Sequence, residues 1–316
     1  MKRLPLLPLV LMFGYPAFPA DAPARPAILG IGSVSIDASD ARTPLGFYTR
    51  QLGLSASTGP CDVSAPDCLS VNPHQYVKLF APVTPKDGRY MPEILFETAN
   101  VAQMRSYLTA RGVICNDIVL APNPHFVLVD PDGHRIGFIQ FTSPHPPSQP
   151  QGQVSSHLIH AGFVVGDRAA EDRFYKDILG FHVYWHGGKK DNGVDDWVAM
   201  QVPDGTDWLE YMLNIPANAD RHTLGVENHI SLGVTDIHVA YKQLVANGWK
   251  PTEEPRMGRD GKWQLNLYDP DETRIEFMEF TPVEKPCCSP IVGPAPGPYA
   301  GAVPNPPSLT IVQPNR

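Results

Sequence analysis

Three segments of this chain occur twice, in the same order. Phe47-Tyr48-Thr49-Arg50-Gln51-Leu52-Gly53-Leu54 returns as Phe174-Tyr175-Lys176-Asp177-Ile178-Leu179-Gly180-Phe181. Leu108-Thr109-Ala110-Arg111-Gly112 is echoed by Leu244-Val245-Ala246-Asn247-Gly248. Val129-Asp130-Pro131-Asp132-Gly133-His134-Arg135-Ile136-Gly137-Phe138 returns as Tyr268-Asp269-Pro270-Asp271-Glu272-Thr273-Arg274-Ile275-Glu276-Phe277. An ordered set of matches of this kind marks a duplicated domain, and 316 residues suffice for two. The reading is residues 27–141 for the first domain and 157–281 for the second. A Pro-, Gln- and Ser-rich linker, 142–156, joins them, and a Pro-rich tail, 282–316, follows.

The chain is 42% hydrophobic and 18% charged, enough apolar residue to build two cores, and its net charge is −8. No basic block interleaves with aromatics, which argues against nucleic acid or an anionic membrane surface as partner. Lys2 and Arg3 precede an apolar run from Leu4 to Phe18, with small-residue cleavage sites at Ala20 or Ala22-Pro23-Ala24. Residues 1–24 therefore read as a signal peptide, too short and Pro-broken to span a bilayer, and the expected location is secreted or periplasmic. Cys61 and Cys68 fit a small disulfide in that setting. Cys287 and Cys288 are adjacent, Cys115 stands alone, and none has the context of a nucleophile or metal finger.

Within the second copy the elements alternate. Leu158–Val165 reads as a strand, and Asp167 opens a helix that stops at Gly180. Short strands are expected at His182–His186, Trp197–Val202 and Asp207–Leu213. The series then restarts with a strand at Ile230–Val234, a helix capped by Thr235/Asp236 and ended by Gly248, and a last strand at Ile275–Phe280. Each domain is thus two βαβββ halves. The Phe-Tyr-x-x-x-Leu-Gly-Phe helix end and the Asp-Pro-Asp-x-x-x-Ile-Glu-Phe strand, in this order and twice, resemble the vicinal oxygen chelate superfamily of glyoxalase, bleomycin-resistance and extradiol-dioxygenase proteins. The resemblance implies an α+β fold of two tandem domains, each a curved mixed-sheet cup.

Four residues of the second domain stand at mirrored positions. His160 and Glu210 lie in the first and fourth strands of one half, and His229 and Glu276 in those of the other. The intervals are fifty and forty-seven residues. Two such halves about a pseudo-twofold axis would bring two imidazoles and two carboxylates to one point, a set suited to Ni, Zn, Mn, Co or Fe(II) with positions left for substrate. The corresponding first-domain residues, aligned through the repeat, are Gly30, Lys78, Glu93 and Gly137, which cannot hold a divalent ion. One metal site is expected, in the second domain.

The resemblance implies three chemistries. A glyoxalase I-like lyase or isomerase would use the metal as Lewis acid and Glu276 or Glu210 as base. An exported protein, however, meets little of the thiol from which glutathione hemithioacetals form. An extradiol dioxygenase would hold Fe(II) on His160, His229 and Glu276. Here, though, Asn266 occupies that family's Tyr position and no His lies between Lys250 and Asp269. A non-catalytic small-molecule binder would not need the four-ligand set. Trp185, Trp197 and Trp208 read as core or rim residues. His182 and His186, four apart in a strand with no third ligand, are left out of the metal site. A homodimer, in which two chains exchange halves, is a further arrangement the resemblance raises.

Overall fold

The computed structural model describes residues 23–40, 43–56, 68–80, 91–142, 152–191 and 193–299. They form two curled mixed β-sheets of seven and eight strands. The first contains β1 (Ile28–Asp37), β2 (Ser55–Ala56), β3 (Cys68–Asn72), β4 (Gln75–Phe80), β5 (Glu93–Thr98), β6 (His125–Val129) and β7 (Arg135–Ile139). A π-helical turn, Phe47–Gln51, follows β1, and helix α1 (Val101–Thr109) follows β5. The spatial order is β2-β3-β4-β1-β5-β7-β6. The second sheet repeats the scheme with β8 (Leu158–Val164), β9 (His182–Gly187), β10 (Trp197–Gln201), β11 (Trp208–Met212), β12 (His229–Val234), β13 (Arg256–Met257), β14 (Trp263–Tyr268) and β15 (Arg274–Glu279). Its order is β13-β14-β15-β12-β8-β11-β10-β9. In both sheets the first strands of the two modules lie antiparallel at the centre, each flanked by its own module's last strand in parallel. Three of the four modules are βαβββ, as the sequence leads one to expect, while the first domain's second module, β5-α1-β6-β7, has one strand fewer among the described residues.

Local chemistry explains the helices. Asp167 caps α2 (Arg168–Asp172) by accepting from Ala170 N, and the helix runs on as a π-turn, Arg173–Ile178. Asp236 caps α4 (Ile237–Ala246) by accepting from His238 N and Val239 N. Gly180 and Gly248 follow these helices at φ +82° and +96°, a left-handed conformation that glycine adopts without cost. A further helix, α3 (Arg221–Glu227), and the two-residue β13 were not anticipated. Central strands such as β12 are buried along their whole length, which is why they read as apolar runs rather than alternating ones.

The repeated motifs also join the domains. Tyr48 Oη donates to Asp269 Oδ2 (2.9 Å), and Tyr175 Oη donates to Asp130 Oδ2 (3.1 Å). Each domain's Phe-Tyr helix end therefore reads the other's Asp-Pro-Asp turn. Past Thr281 the described chain, to residue 299, has no helix or strand. It runs beside β9, where Val292 N donates to Tyr184 O and Cys287 O accepts from Trp185 Nε1. Cys287 and Cys288 form a disulfide. Cys68 is disulfide-bonded, but Cys61 lies outside the described residues, as do residues 1–22 of the expected signal peptide.

Candidate metal centre

The register of four strands assembles the site. Ser231 of β12 pairs with His160 of β8 on one side and Glu276 of β15 on the other. One step along, Gly162 of β8 lies between Glu210 of β11 and His229 of β12. Residues two apart share a face, so His160, Glu210, His229 and Glu276 all point into the same cup. The Nε2 atoms of His160 and His229 are 3.1 Å apart. Glu276 Oε2 is 3.2 Å from His160 Nε2 and 4.0 Å from His229 Nε2, and Glu210 Oε2 is 3.3 Å from His229 Nε2 and 3.8 Å from His160 Nε2. All four expected ligands thus meet, from one chain.

Gly162, which the sequence reading missed, makes this possible. A Cβ there would lie 2.1 Å from His229 Cε1 and 2.4 Å from its Nδ1. The His229 ring crosses β8 through the space a side chain would fill. Its Nδ1 lies 3.0 Å from Glu227 O, a carbonyl that can only accept a hydrogen bond. Arg274 Nη2 approaches both ring nitrogens, at 2.8 and 2.9 Å.

The donor set fits a divalent cation. Ligands bound at about 2.1 Å sit about 3.0 Å apart at right angles and about 3.4 Å apart in a tetrahedron, and the observed spacings run from 3.1 to 4.0 Å. Burial pushes the Glu276 carboxyl up, but bonding to His160 and the charges of His160, Arg274 and His229 outweigh it and hold it at about 2. Glu210 is likewise lowered, burial being overcome by His229 and His160. Burial, with Arg274 alongside, lowers His229. Ionised carboxylates and a neutral imidazole are the protonation states that ligate metal. His160 Nδ1, Ser231 Oγ and Asn266 Oδ1 are buried without hydrogen-bond partners. Groups of this kind are rarely left so unless something else satisfies them.

Residues 156–277 match the model of the Glyoxalase/Bleomycin resistance protein/Dioxygenase superfamily. The second domain belongs to this superfamily. Among solved structures, a variant of homoprotocatechuate 2,3-dioxygenase from Brevibacterium fuscum is 19% identical, with a TM-score of 0.60 over 83% of this chain and 74% of that one. The 2,3-dioxygenase LapB from Pseudomonas sp. KL28 is 17% identical, with a TM-score of 0.61 over 87% and 96%. These likenesses establish the tandem fold. A search of curated protein sequences finds no match.

The superfamily cup opens into a cavity of about 300 Å³ lined by Glu210, Glu276, Arg274, Met278, Tyr184 and Trp208 together with Trp185, Trp197, Arg256, Arg259 and Asp260. The three tryptophans expected as core or rim therefore line the cavity, although Trp185 and Trp208 are nearly fully buried. His182 bonds Gln201 and His186 bonds Asp195, away from the cluster. Lys262, also missed, is buried beside the cavity. Counting back by twos from Asn266, which pairs with Glu276, places Gln264 and Lys262 on the cup face, a signal the sequence did contain.

The first domain lacks this set, with one correction to the alignment. Leu95 pairs with both Ser33 and Gly137, as Ser231 pairs with His160 and Glu276, and both sheets carry a register shift just beyond. Ser33, not Gly30, is therefore the counterpart of His160; the shift at the bulge displaced the sequence alignment by three residues. Lys78, Glu93 and Gly137 stand where expected. Two other groupings resemble ligand sets. In one, Cys287 and Cys288 are joined to each other rather than free as thiolates. In the other, at the domain junction, Asp130 pairs with His134 while Glu171 accepts from Asp132 N.

Proposed function

We propose that this protein is an exported metal-dependent enzyme that acts on a small substrate chelated through adjacent oxygens, by proton transfer of the glyoxalase I type. The observation that carries this is the place of Glu210: its carboxylate stands 3.3 Å from His229 Nε2, inside the cluster, which supports a set of four protein ligands rather than three. A divalent ion held by His160, Glu210, His229 and Glu276 supplies Lewis acidity toward a substrate carbonyl and its neighbouring oxygen. Glu210 is the more accessible carboxylate, its side chain 13% exposed against 5% for Glu276, and it faces the cavity. It is placed to take a proton from the carbon beside a bound carbonyl and return it to the neighbouring carbon. Trp185, Trp197 and Trp208 shield that transfer from bulk water.

A second reading, a ring-cleaving dioxygenase using Fe(II), is supported by the tandem architecture shared with the two 2,3-dioxygenases. Metal analysis with an oxygen electrode separates the two. Activity on 2-oxoaldehyde adducts without oxygen uptake, abolished in Glu210→Gln, supports the first. Oxygen uptake with catechols by the iron-loaded protein, largely kept in Glu210→Gln, overturns it. Export is supported by the Lys2-Arg3 and Leu4–Phe18 pattern; mass analysis of the protein recovered outside the cytoplasm should show cleavage between Ala20 and Ala24, and intact Met1 would refute it.

A further inference from the structure

Beside the metal ligands lies a group of buried donors with nothing to donate to. Lys262 has no exposed side-chain surface, and its Nζ makes no hydrogen bond. It rests 4.6 Å from the Trp208 ring centroid and 5.1 Å from that of Tyr184, and the two rings stack at 5.2 Å. Among the described residues its one ion-pair partner is Asp260, at 3.9 Å, too far for a hydrogen bond. Asp260 Oδ1 accepts instead from Lys262 N and Gln264 Nε2. Tyr184 Oη and Trp208 Nε1 are also buried and unpartnered. Trp208 in turn touches the metal cluster, its ring 4.8 Å from that of His160.

An ammonium kept from water without acceptors is costly, and ring faces offset only part of that. A hydrophobic side chain of similar length would fill the same space without the penalty, so packing does not explain the lysine. Three kinds of unpartnered donor gather about one pair of stacked rings. Among the described residues the one carboxylate within 4 Å of the Lys262 ammonium is Asp260, so the group calls for a further anionic acceptor.

We infer that Lys262, Tyr184 and Trp208 form a recess for a carboxylate carried by the same substrate whose adjacent oxygens reach the metal, which makes the site selective for acidic chelators over neutral ones. This rests on the reading that His160, Glu210, His229 and Glu276 hold a divalent ion. Lys262 is here a specificity-determining residue, and Tyr184 supports it.

The test uses the zinc-loaded full chain and two bidentate probes, 3,4-dihydroxyphenylacetate and the neutral 4-methylcatechol, with affinities measured by calorimetry so that turnover is not needed. The wild type should prefer the acid by roughly 10- to 100-fold, the scale of charge-assisted hydrogen bonds. Lys262→Met should lose that preference while keeping its zinc and its affinity for 4-methylcatechol. If the variant does not fold, Tyr184→Phe, which keeps the ring and removes the hydroxyl, should lose part of it. An undiminished preference in the folded Lys262→Met, or in Tyr184→Phe where that variant decides, overturns the recess and leaves the metal reading standing. If neither probe binds the zinc-loaded wild type better than the metal-free protein, the metal reading falls and the recess with it.

Discussion

The two cups of this protein share strands, pairings and even the position of a register shift, yet they are filled with different chemistry. Where the second domain has His160, Glu210, His229 and Glu276, the first has Ser33, Lys78, Glu93 and Gly137. Where Ser231 and Asn266 lie among the ligands, the first domain has Leu95 and Val127, which pack with Ile139 and Phe141 into a small apolar cluster. A side chain at Gly137 has no room, since a Cβ there would lie 2.2 Å from Phe126 O. Arg135, counterpart of Arg274, donates to Glu93 rather than standing over an imidazole. The fold is held by the side chains between sheet and helix, which are apolar in both copies. The concave face carries little of that burden, so one copy can become core while the other keeps buried charge.

The largest expected effect follows directly. His229→Ala should lower metal affinity more than 100-fold, since loss of a residue merely supporting a ligand already costs about 10–100-fold. Glu93→Ala, at the matched position, should leave metal content unchanged. Elemental analysis of both purified variants decides, and the reverse result would move the site to the other domain. Gly162→Ala should come next. The added methyl collides with the His229 ring, and a loss of roughly 10- to 100-fold is expected from a displaced ligand. Ser35, its counterpart, already carries a side chain because Glu93 has no ring to cross the strand; Ser35→Ala should change nothing in a zinc titration.

Much of this was legible in the sequence, for physical reasons that differ from residue to residue. The Phe-Tyr-x-x-x-Leu-Gly and Asp-Pro-Asp motifs were visible because they serve the backbone: a left-handed glycine, a tight turn and a buried tyrosine leave few alternatives. The four ligands were visible because the duplication places them at mirrored strand positions. Gly162 was not, because its role is to be absent beneath a ring on the neighbouring strand, a fact of pairing rather than of pattern. Gly30 was mistaken for the counterpart of His160 because a bulge shifts register without marking the sequence. Lys262 was overlooked because it follows a turn, where a lysine ordinarily reaches solvent.

The domain junction offers a subtler comparison. Glu171 meets the first domain's Asp130–His134 turn, where it accepts from Asp132 N, whereas the residue at its place before the other Phe-Tyr pair is Pro44, which has no carboxyl. Burial, reinforced by Asp130, raises the Glu171 carboxyl to about 8. In the folded protein it keeps a proton that the unfolded chain releases near pH 4.5, so stability falls as pH rises between those values. Glu171→Gln is neutral throughout and should flatten that decline. Urea midpoints of wild type and variant should converge near pH ~5, with the variant ahead at pH ~8.5; parallel curves would mean the carboxyl titrates normally.

The smallest effect concerns the reciprocal tyrosines, and here the two halves should differ. Each hydroxyl is one hydrogen bond to a buried aspartate, so Tyr→Phe should cost on the order of 1 kcal/mol. The aspartates are not equally provided for. Asp130 Oδ2 also accepts from His134 Nδ1 at 2.9 Å, so it keeps a partner when Tyr175 loses its hydroxyl. Asp269 directs Oδ1 to Asp271 N and Thr273 N, while Oδ2 accepts from Tyr48. Tyr48→Phe leaves that oxygen buried and unpaired, and it raises a carboxyl that burial already lifts to about 6. It should therefore destabilise more than Tyr175→Phe at pH ~7, and the gap should narrow toward pH ~5 as Asp269 takes up a proton and no longer buries a charge. Equal losses at both pH values would show that the junction is as symmetric in energy as it is in sequence.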